Sequence, residues 1–592
     1  MALLPRRPQL FATLTALPLL AVFCTAPVAA QNDLFIDQLN VNVVNVEVFV
    51  TDSDGNRVAG LTEDDFELFE DGQPVEISNF FTVSYQDSFA SRVTDTRRPA
   101  PVPRRPVTPD QQLHLVVFID HAHIYPQSRR QLLEVLEGYL EDRLFEGDKI
   151  MLASFTRTLE VVQPFTQDHK LLLDGLAKMS QEAAYGPTID AQRRQAYRSM
   201  TLFAEANDPA AAAANIRRAH GFARTYVQNV QSSTRRSTRA MEQVLRSLAG
   251  LPGRKAMLYV SNGMPKRPGE EIYQYLQDIT GAAALRGANV TGFTIDPSLE
   301  ALREDETPLF DAVAREANTH QVTLYTLNAE GAGGSSSSAL SASLGQVETG
   351  FSDSGRTGLD NIRSMNLAEP MIDLAEATGG SSILNTQNFD DALARLSADF
   401  DTYYSLGYRA PSGGDGEYHK IEVRVNRPGL QVRHRTGYTD KPQGERIADR
   451  TYSSLLLDLE SNPLGIEIET GEPEKQARNR YLLPVLVRIP VREITLLPNG
   501  EQSEGRLQIY LIVKDEEGGV SDLHREPYPV KIPADMVDEA RATDIGYLAR
   551  LELRSGKPKI AVGVWDELSG LESFVQRRVI VENPNKKDRK GK

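Results

Sequence analysis

Cysteine is nearly missing from this chain: one in 592 residues, Cys24. It lies in the stretch 1–30, which reads as a cleavable export signal. Arg6 and Arg7 form the positive region, Leu10 to Cys24 is largely apolar, and Val28-Ala29-Ala30 offers small residues before Gln31. Phe23 stands where lipid attachment at Cys24 needs a small residue. Cleavage leaves a mature chain without a thiol, which excludes disulfides, thiolate metal sites and cysteine nucleophiles. Positive charge is also short, with 65 Lys and Arg against 81 Asp and Glu and a net charge of −16. Losing Arg6 and Arg7 makes the mature chain more acidic still. Nucleic acid is therefore excluded as main partner, because phosphate binding needs a basic face. No later apolar run reaches the roughly 18 residues that span a membrane. The destination expected is periplasm, cell surface or medium.

Catalytic motifs are missing too. There is no His-Glu-x-x-His and no Gly-x-Ser-x-Gly. Gly331-Ala332-Gly333-Gly334 runs into serines and does not join a strand to a helix, so it is a poor phosphate cradle. The acid pairs Asp64-Asp65 and Glu270-Glu271 read as solvated or helix-start residues. No catalytic residue and no organic cofactor is assigned.

What is present implies several domains, because 592 residues exceed a single core. Residues 41–83 read as a small β-rich unit, with a hairpin turn at Asp71-Gly72. Residues 84–112 hold Arg97-Arg98-Pro99 and Pro103-Arg104-Arg105-Pro106 and read as a linker. Residues 113–440 alternate strand and helix patterns, which predicts an α/β domain with a doubly wound, mainly parallel sheet. Strands are expected at Leu113 to Asp120, Asp148 to Phe155, Lys255 to Ser261, Asn289 to Ile295 and Val322 to Leu327. A helical insertion is expected at about 181–230 and a flexible loop at about 330–358. The segments Tyr403 to Tyr408, His419 to Asn426 and Gly429 to Arg435 read as short strands closing this domain. Residues 477–581 read as a β-sandwich holding the single Trp565 in its core. Residues 582–592 read as a disordered basic tail. Tyr403, Tyr404 and Tyr408 are read as core aromatics rather than an exposed platform.

The strand 113–120 ends abruptly in a carboxylate. Asp120-x-Ala122-x-Ile124 resembles the first strand and loop of a von Willebrand factor type A (VWA) domain, where Asp-x-Ser-x-Ser holds a divalent metal. Further segments resemble a secreted bacterial VWA-related family described mainly from Acidobacteria. They are Val48-x-Val50-Thr51-Asp52, Gly60-Leu61-Thr62-x-x-Asp65-Phe66, Glu70-Asp71-Gly72, Gly253-Arg254-Lys255-Ala256 through Ser261-Asn262-Gly263, Leu374-Ala375-x-x-Thr378-Gly379-Gly380, Tyr403-Tyr404-x-Leu406-Gly407-Tyr408 and Gly437-Tyr438. The resemblance spans about 40–440. It implies a VWA/Rossmann-like fold and a Mg²⁺ site built from Asp120, with Asn262 at the closing position and Thr234 or Thr238 as the threonine ligand. Ala122 and Ile124 carry no ligand atom and Asn262 no charge, so the implied metal site is degenerate. His121 and His123 beside Asp120 are a second candidate set, for Zn²⁺ or Cu²⁺. The expectation is an exported, non-enzymatic protein acting through protein–protein interaction or adhesion. The alternatives are an envelope scaffold, self-associating through the 181–230 insertion, or an unrecognised hydrolase.

Overall fold

The computed structural model describes residues 43–84, 112–143, 148–204, 212–285, 296–329, 353–384, 386, 388–411, 413–477 and 479–581. The expected export signal, nearly all of the expected linker, the strand expected at Asn289–Ile295, residues 330–352 of the expected loop and the expected tail lie outside the described residues. The architecture is mixed α/β, in two compact units: residues 41–245 with 252–440, and residues 246–251 with the chain from 441 onward. Among the described residues no helix is long and apolar enough to cross a membrane.

The first unit begins with β1 (Val43–Thr51), β2 (Phe66–Glu70), β3 (Gln73–Val75) and β4 (Ile77–Ser84). Its central sheet uses β5 (Leu113–Asp120), β6 (Lys149–Phe155), β7 (Leu159–Thr166), β8 (Arg254–Ser261), β9 (Val322–Asn328) and β10 (Ser382–Ile383). The order is β10-β9-β8-β5-β6-β7, with β7 alone antiparallel to its neighbour. All eight residues of β5 and all eight of β8 are buried, as a central parallel strand requires. Leu115, Val117 and Ile119 face one side. There they meet Leu132 and Leu136 of helix α1 (Pro126–Arg143) and Leu172 and Leu176 of helix α2 (His169–Gln181). On the opposite side Thr326 donates to the Met371 carbonyl (2.8 Å) in the helix Asp353–Ala377. Helices thus cover both faces.

The stretch expected as an insertion at about 181–230 is two helices, α3 (Gly186–Ala204) and α4 (Ala212–Ser247). Helix α4 continues to Ser247, well past the end of the expected insertion. Neither is an appendage: Tyr197, Met200, Tyr226 and Val227 share a core with Ile272 and Leu276 of helix α5 (Glu270–Leu285). Residues 353–358, expected in the flexible loop, begin the helix Asp353–Ala377.

One expected boundary is corrected. Strands β11 (Thr402–Arg409), β12 (Tyr418–Val425), β13 (Gln431–His434) and β14 (Gly437–Thr439) do not extend the central sheet. They pair with the strands of 43–84, giving the sheets β13-β1-β11-β4 and β14-β12-β2-β3. Residues 41–83 are therefore half of a structure completed more than 300 residues later, and they belong to the same compact unit as the central sheet. The physical reason is that the first strands alone have no covered face. Val46, Val48, Phe66 and Leu68 are buried only by sharing a core with Tyr404, Leu406 and Tyr438.

The second unit has two antiparallel sheets. One joins β15 (Glu467–Thr470), β16 (Glu474–Ala477), β17 (Arg480–Pro490) and β21 (Asp544–Leu553); the other joins β18 (Leu497–Asn499), β19 (Gln502–Lys514), β20 (His524–Pro533), β22 (Lys559–Asp566) and β23 (Glu572–Arg578). Tyr481, Leu483, Val485, Val487 and Ile489 alternate inward along β17 and share one core with Leu507, Ile509 and Leu511 of β19. Trp565 is partly buried against the cluster of Ile447, Tyr510 and Phe574.

Candidate functional site

Counting from β5, the central sheet has the order 3-2-1-4-5-6, so its direction of winding reverses between β5 and β8. In open α/β sheets ligands bind outside the carboxyl ends of the strands at this reversal. Asp120 ends β5, and Asn262 follows the end of β8, so the sequence-predicted residues do meet at this point.

Asp120 stops its strand by capping the turn that follows. Its Oδ1 accepts the Ala122 amide (3.0 Å) and opens a short 3₁₀ turn over His121–His123. Oδ2 accepts from the Tyr259 hydroxyl and pairs with His123 Nδ1, both at 2.8 Å. Ser237 Oγ of α4 lies 3.2 Å from the same Nδ1 and also hydrogen-bonds the carboxyl. Asp120 is completely buried. Burial pushes its pKa up, but the charge of His123 and the hydrogen bonds from His123, Tyr259 and Ser237 outweigh this and hold it below the usual carboxylate range. Tyr259, buried beside that charge, is pushed far up and stays a donor.

His121 turns away from this cage. Its Nδ1 lies 3.4 Å from Arg129 Nη1, and its Nε2 lies 3.5 Å from Glu182 Oε2. Burial, then the Arg129 charge, lowers its pKa to about 4, so the ring is neutral at pH 7. The set of Asp120, His121 and His123 therefore does not converge on one point. The side-chain oxygen of Asn262 accepts the Tyr125 amide (3.0 Å), and the Asn262 backbone N–H donates to the His123 carbonyl (2.8 Å). Gly263 must be glycine here: its φ is +95°, and a Cβ would stand 2.6 Å from the Leu367 carbonyl oxygen.

The threonine ligand implied by the resemblance is not seen in its role. Thr238 Oγ1 donates to the Arg235 carbonyl, and Thr234 Oγ1 is buried without a hydrogen bond. Ser237, between them, is the residue that reaches the cage. Ser237 and Tyr259 were both missed by sequence reasoning. Tyr259 was findable: it pairs in register with Phe118, which points to the same face as Asp120 two residues on.

A divalent cation does not fit these residues. A carboxylate offers about four lone-pair positions; Ala122, His123 and Tyr259 take three of them, and Ser237 is directed at the same carboxyl. The adjoining cavity, lined by His123, Tyr125, Tyr226, Asn262, Glu271 and Arg363, is about 40 Å³. It has room for a few waters, whereas small-molecule sites occupy about 300–1,000 Å³. Glu270 and Glu271 open helix α5, as the helix-start reading has it; Glu270 forms an ion pair with Arg267, and Glu271 is buried rather than solvated. Tyr403, Tyr404 and Tyr408 are core residues.

A larger groove, about 640 Å³, lies elsewhere in the first unit, lined by Val43, Phe81, Val83, Arg254 and Tyr403 among others. It borders β4, an edge strand among the described residues, on which Phe81 is 59% exposed.

No protein-family profile matches the chain, and no curated protein matches it. Solved structures with limited similarity include an aerotolerance-related membrane protein from Bacteroides fragilis, at 8% identity and TM-score 0.22, covering 49% of this chain and 98% of that one. The conserved hypothetical protein BatB from Bacteroides thetaiotaomicron gives 8% identity, the same coverages and TM-score 0.21. Three N-terminal domains of the type V pili tip protein Mfa5 from Porphyromonas gingivalis give 9% identity and TM-score 0.22, covering 91% of this chain and 77% of that one. Overlap this slight carries no argument about fold or activity. None of the three comes from the Acidobacteria that the sequence resemblance names.

Proposed function

We propose that this chain is an exported, non-enzymatic protein-binding protein built around a VWA-like domain, and that it recognises its partner without a bridging cation. The carrying observation is the closure of the winding-reversal site. Asp120 is held by four groups, Asn262 is bound to backbone, and the space beside them admits only water-sized molecules. The 3-2-1-4-5-6 order with an antiparallel edge strand supports the VWA-like reading; the export signal supports the location.

Recognition then falls to the open groove beside β4. An edge strand offers unpaired backbone donors and acceptors, and an exposed aromatic next to it supplies an anchor, the arrangement used when an extended peptide joins a sheet. The full mature chain, immobilised, is expected to retain a protein from an envelope fraction equally well in EDTA and in Mg²⁺. Phe81→Asp is expected to abolish retention. Retention that requires Mg²⁺, or that is indifferent to Phe81→Asp, would overturn this reading.

A further inference from the structure

Away from the central sheet, three segments of the chain meet at the turn after β2. Asp71 and Gly72 both have positive φ (49° and 78°), so the β2–β3 turn is tight and presents Asp71 at its tip. Strand β12 lies alongside, with Ile421 opposite Glu70, and the Asp71 amide donates to the Lys420 carbonyl (2.9 Å). This register brings His419 over the turn.

His419 Nδ1 is 2.8 Å from Asp71 Oδ2 and 3.9 Å from Glu70 Oε1. One ligand atom from each of the three residues lies within 4.8 Å of the others. Zn²⁺ with ligands at about 2.1 Å places tetrahedral ligands roughly 3.4 Å apart, inside this range. His419 Nε2 is 3.2 Å from Asp415 Oδ1. A carboxylate on the far nitrogen of a metal-bound imidazole is the usual means of orienting such a ligand.

Glu70 supplies an independent sign. Its side chain is 5% exposed, and both the Tyr408 hydroxyl and the Tyr438 hydroxyl (3.0 Å) donate to Oε2. Oε1 receives neither. It faces the His419 nitrogen from beyond hydrogen-bond distance. One oxygen of a buried carboxylate is thus turned toward the imidazole and Asp71 without a bond from either phenol. Glu70, Asp71 and Asp415 place three carboxylates around the imidazole. Carboxylates of this number suit a divalent ion. Asp71 and Asp415 are 51% and 40% exposed, so the ion has a path in from solvent.

We propose that Glu70, Asp71 and His419 bind a divalent transition ion of the Zn²⁺ type, with Asp415 orienting the imidazole. The ion takes the place of the Nδ1 proton, which leaves to solvent. An imidazole among the ligands favours Zn²⁺ over Mg²⁺ and Ca²⁺, which prefer oxygen alone. The site is independent of the groove and of the Asp120 cage.

Equilibrium dialysis of the full chain against Zn²⁺, with metal counted by mass spectrometry, tests it. One Zn²⁺ per chain is expected, undisturbed by excess Mg²⁺. Asp71→Asn keeps the size and tolerates positive φ, and His419→Gln keeps a polar side chain. Each is expected to weaken binding at least tenfold with an unchanged circular dichroism spectrum. His121→Gln is expected to bind as the unaltered chain does. Absence of stoichiometric Zn²⁺, or full binding in folded Asp71→Asn and His419→Gln, overturns the proposal. Loss of binding in His121→Gln alone would also overturn it, by moving the ion to the edge of the central sheet.

Discussion

Asp120 and Glu70 are built from the same parts. Each is a buried carboxylate at the end of a strand, each accepts from tyrosine (Asp120 one hydroxyl, Glu70 two), and each has a histidine beside it. They differ in how the donors are distributed. Around Asp120 an amide, an imidazole, a phenol and a serine share both oxygens. Around Glu70 two phenols crowd one oxygen and leave the other facing an imidazole across 3.9 Å. Ligand identity therefore does not decide whether a carboxylate is available to a metal. The count of donors already bound to it does. A carboxylate in the position of a metal ligand can serve as a strand cap, and one in a hairpin can be left open to a cation.

The largest effect expected from this difference is at Asp120. Asp120→Ala leaves the Ala122 amide, the Tyr259 hydroxyl and the His123 ring buried without their acceptor. A buried donor left without its acceptor costs about 1–3 kcal/mol, and three such donors together about 3–5 kcal/mol. Urea denaturation of the variant is expected to show a loss in this range. A loss below about 1 kcal/mol would mean that the cage is not closed as described, and the contrast with Glu70 would fail. Acid should act in the same direction. The folded carboxyl titrates below its unfolded value, so its stabilisation is complete above the ordinary carboxylate range and is lost as pH falls through the depressed folded value.

A somewhat smaller effect concerns the histidines around the central sheet. His114 in β5 is lowered to about 4 by burial, then by the charges of Lys149 and Lys255. The unfolded imidazole titrates near 6.5, so between these values the unfolded chain binds the extra proton and stability falls as pH falls. A shift of this size corresponds to about 3 kcal/mol. His121, lowered to about 4 by burial and Arg129, adds a term of the same sign. His114→Gln is expected to flatten the stability profile between pH 6.5 and 4 by about half. An unchanged profile would show that this ring is charged in the fold.

Some of this was legible in sequence and some was not, for identifiable reasons. The buried strands β5, β6, β8 and β9 announce themselves because a central parallel strand is apolar on both faces. The meeting of Asp120 with Asn262 follows from strand order. The cage does not, because Ser237 comes from a helix more than a hundred residues away. Residues 41–83 looked like a separate unit because their partners lie beyond residue 400. Strand β20 does not read as a strand in sequence because Pro527, Pro529 and Pro533 interrupt it. It tolerates them by pairing on one side only, with β19. The Glu70–Asp71–His419 cluster was half visible: Asp71-Gly72 was read as a turn, but nothing local places His419 above it.

The smallest effects separate the two carboxylates most finely. Tyr259→Phe and Tyr408→Phe each remove one phenol donor from a buried acid. At Asp120 the surroundings are wholly buried, so no water can replace the lost donor, and the cost is expected to be about 2 kcal/mol. At Glu70 the second phenol, Tyr438, remains on the same oxygen, and exposed Asp71 and Asp415 border the cluster. The cost there is expected to be about 1 kcal/mol, near the value of an ordinary hydrogen bond. Metal binding should diverge as well. Tyr408→Phe leaves Oε1 untouched and should keep its Zn²⁺, whereas Tyr259→Phe still leaves three donors on Asp120 and should gain no affinity for Mg²⁺. Paired denaturation curves and dialysis on the two variants decide the point. A larger loss at Tyr408 than at Tyr259 would reverse the assignment of which carboxylate is structurally saturated.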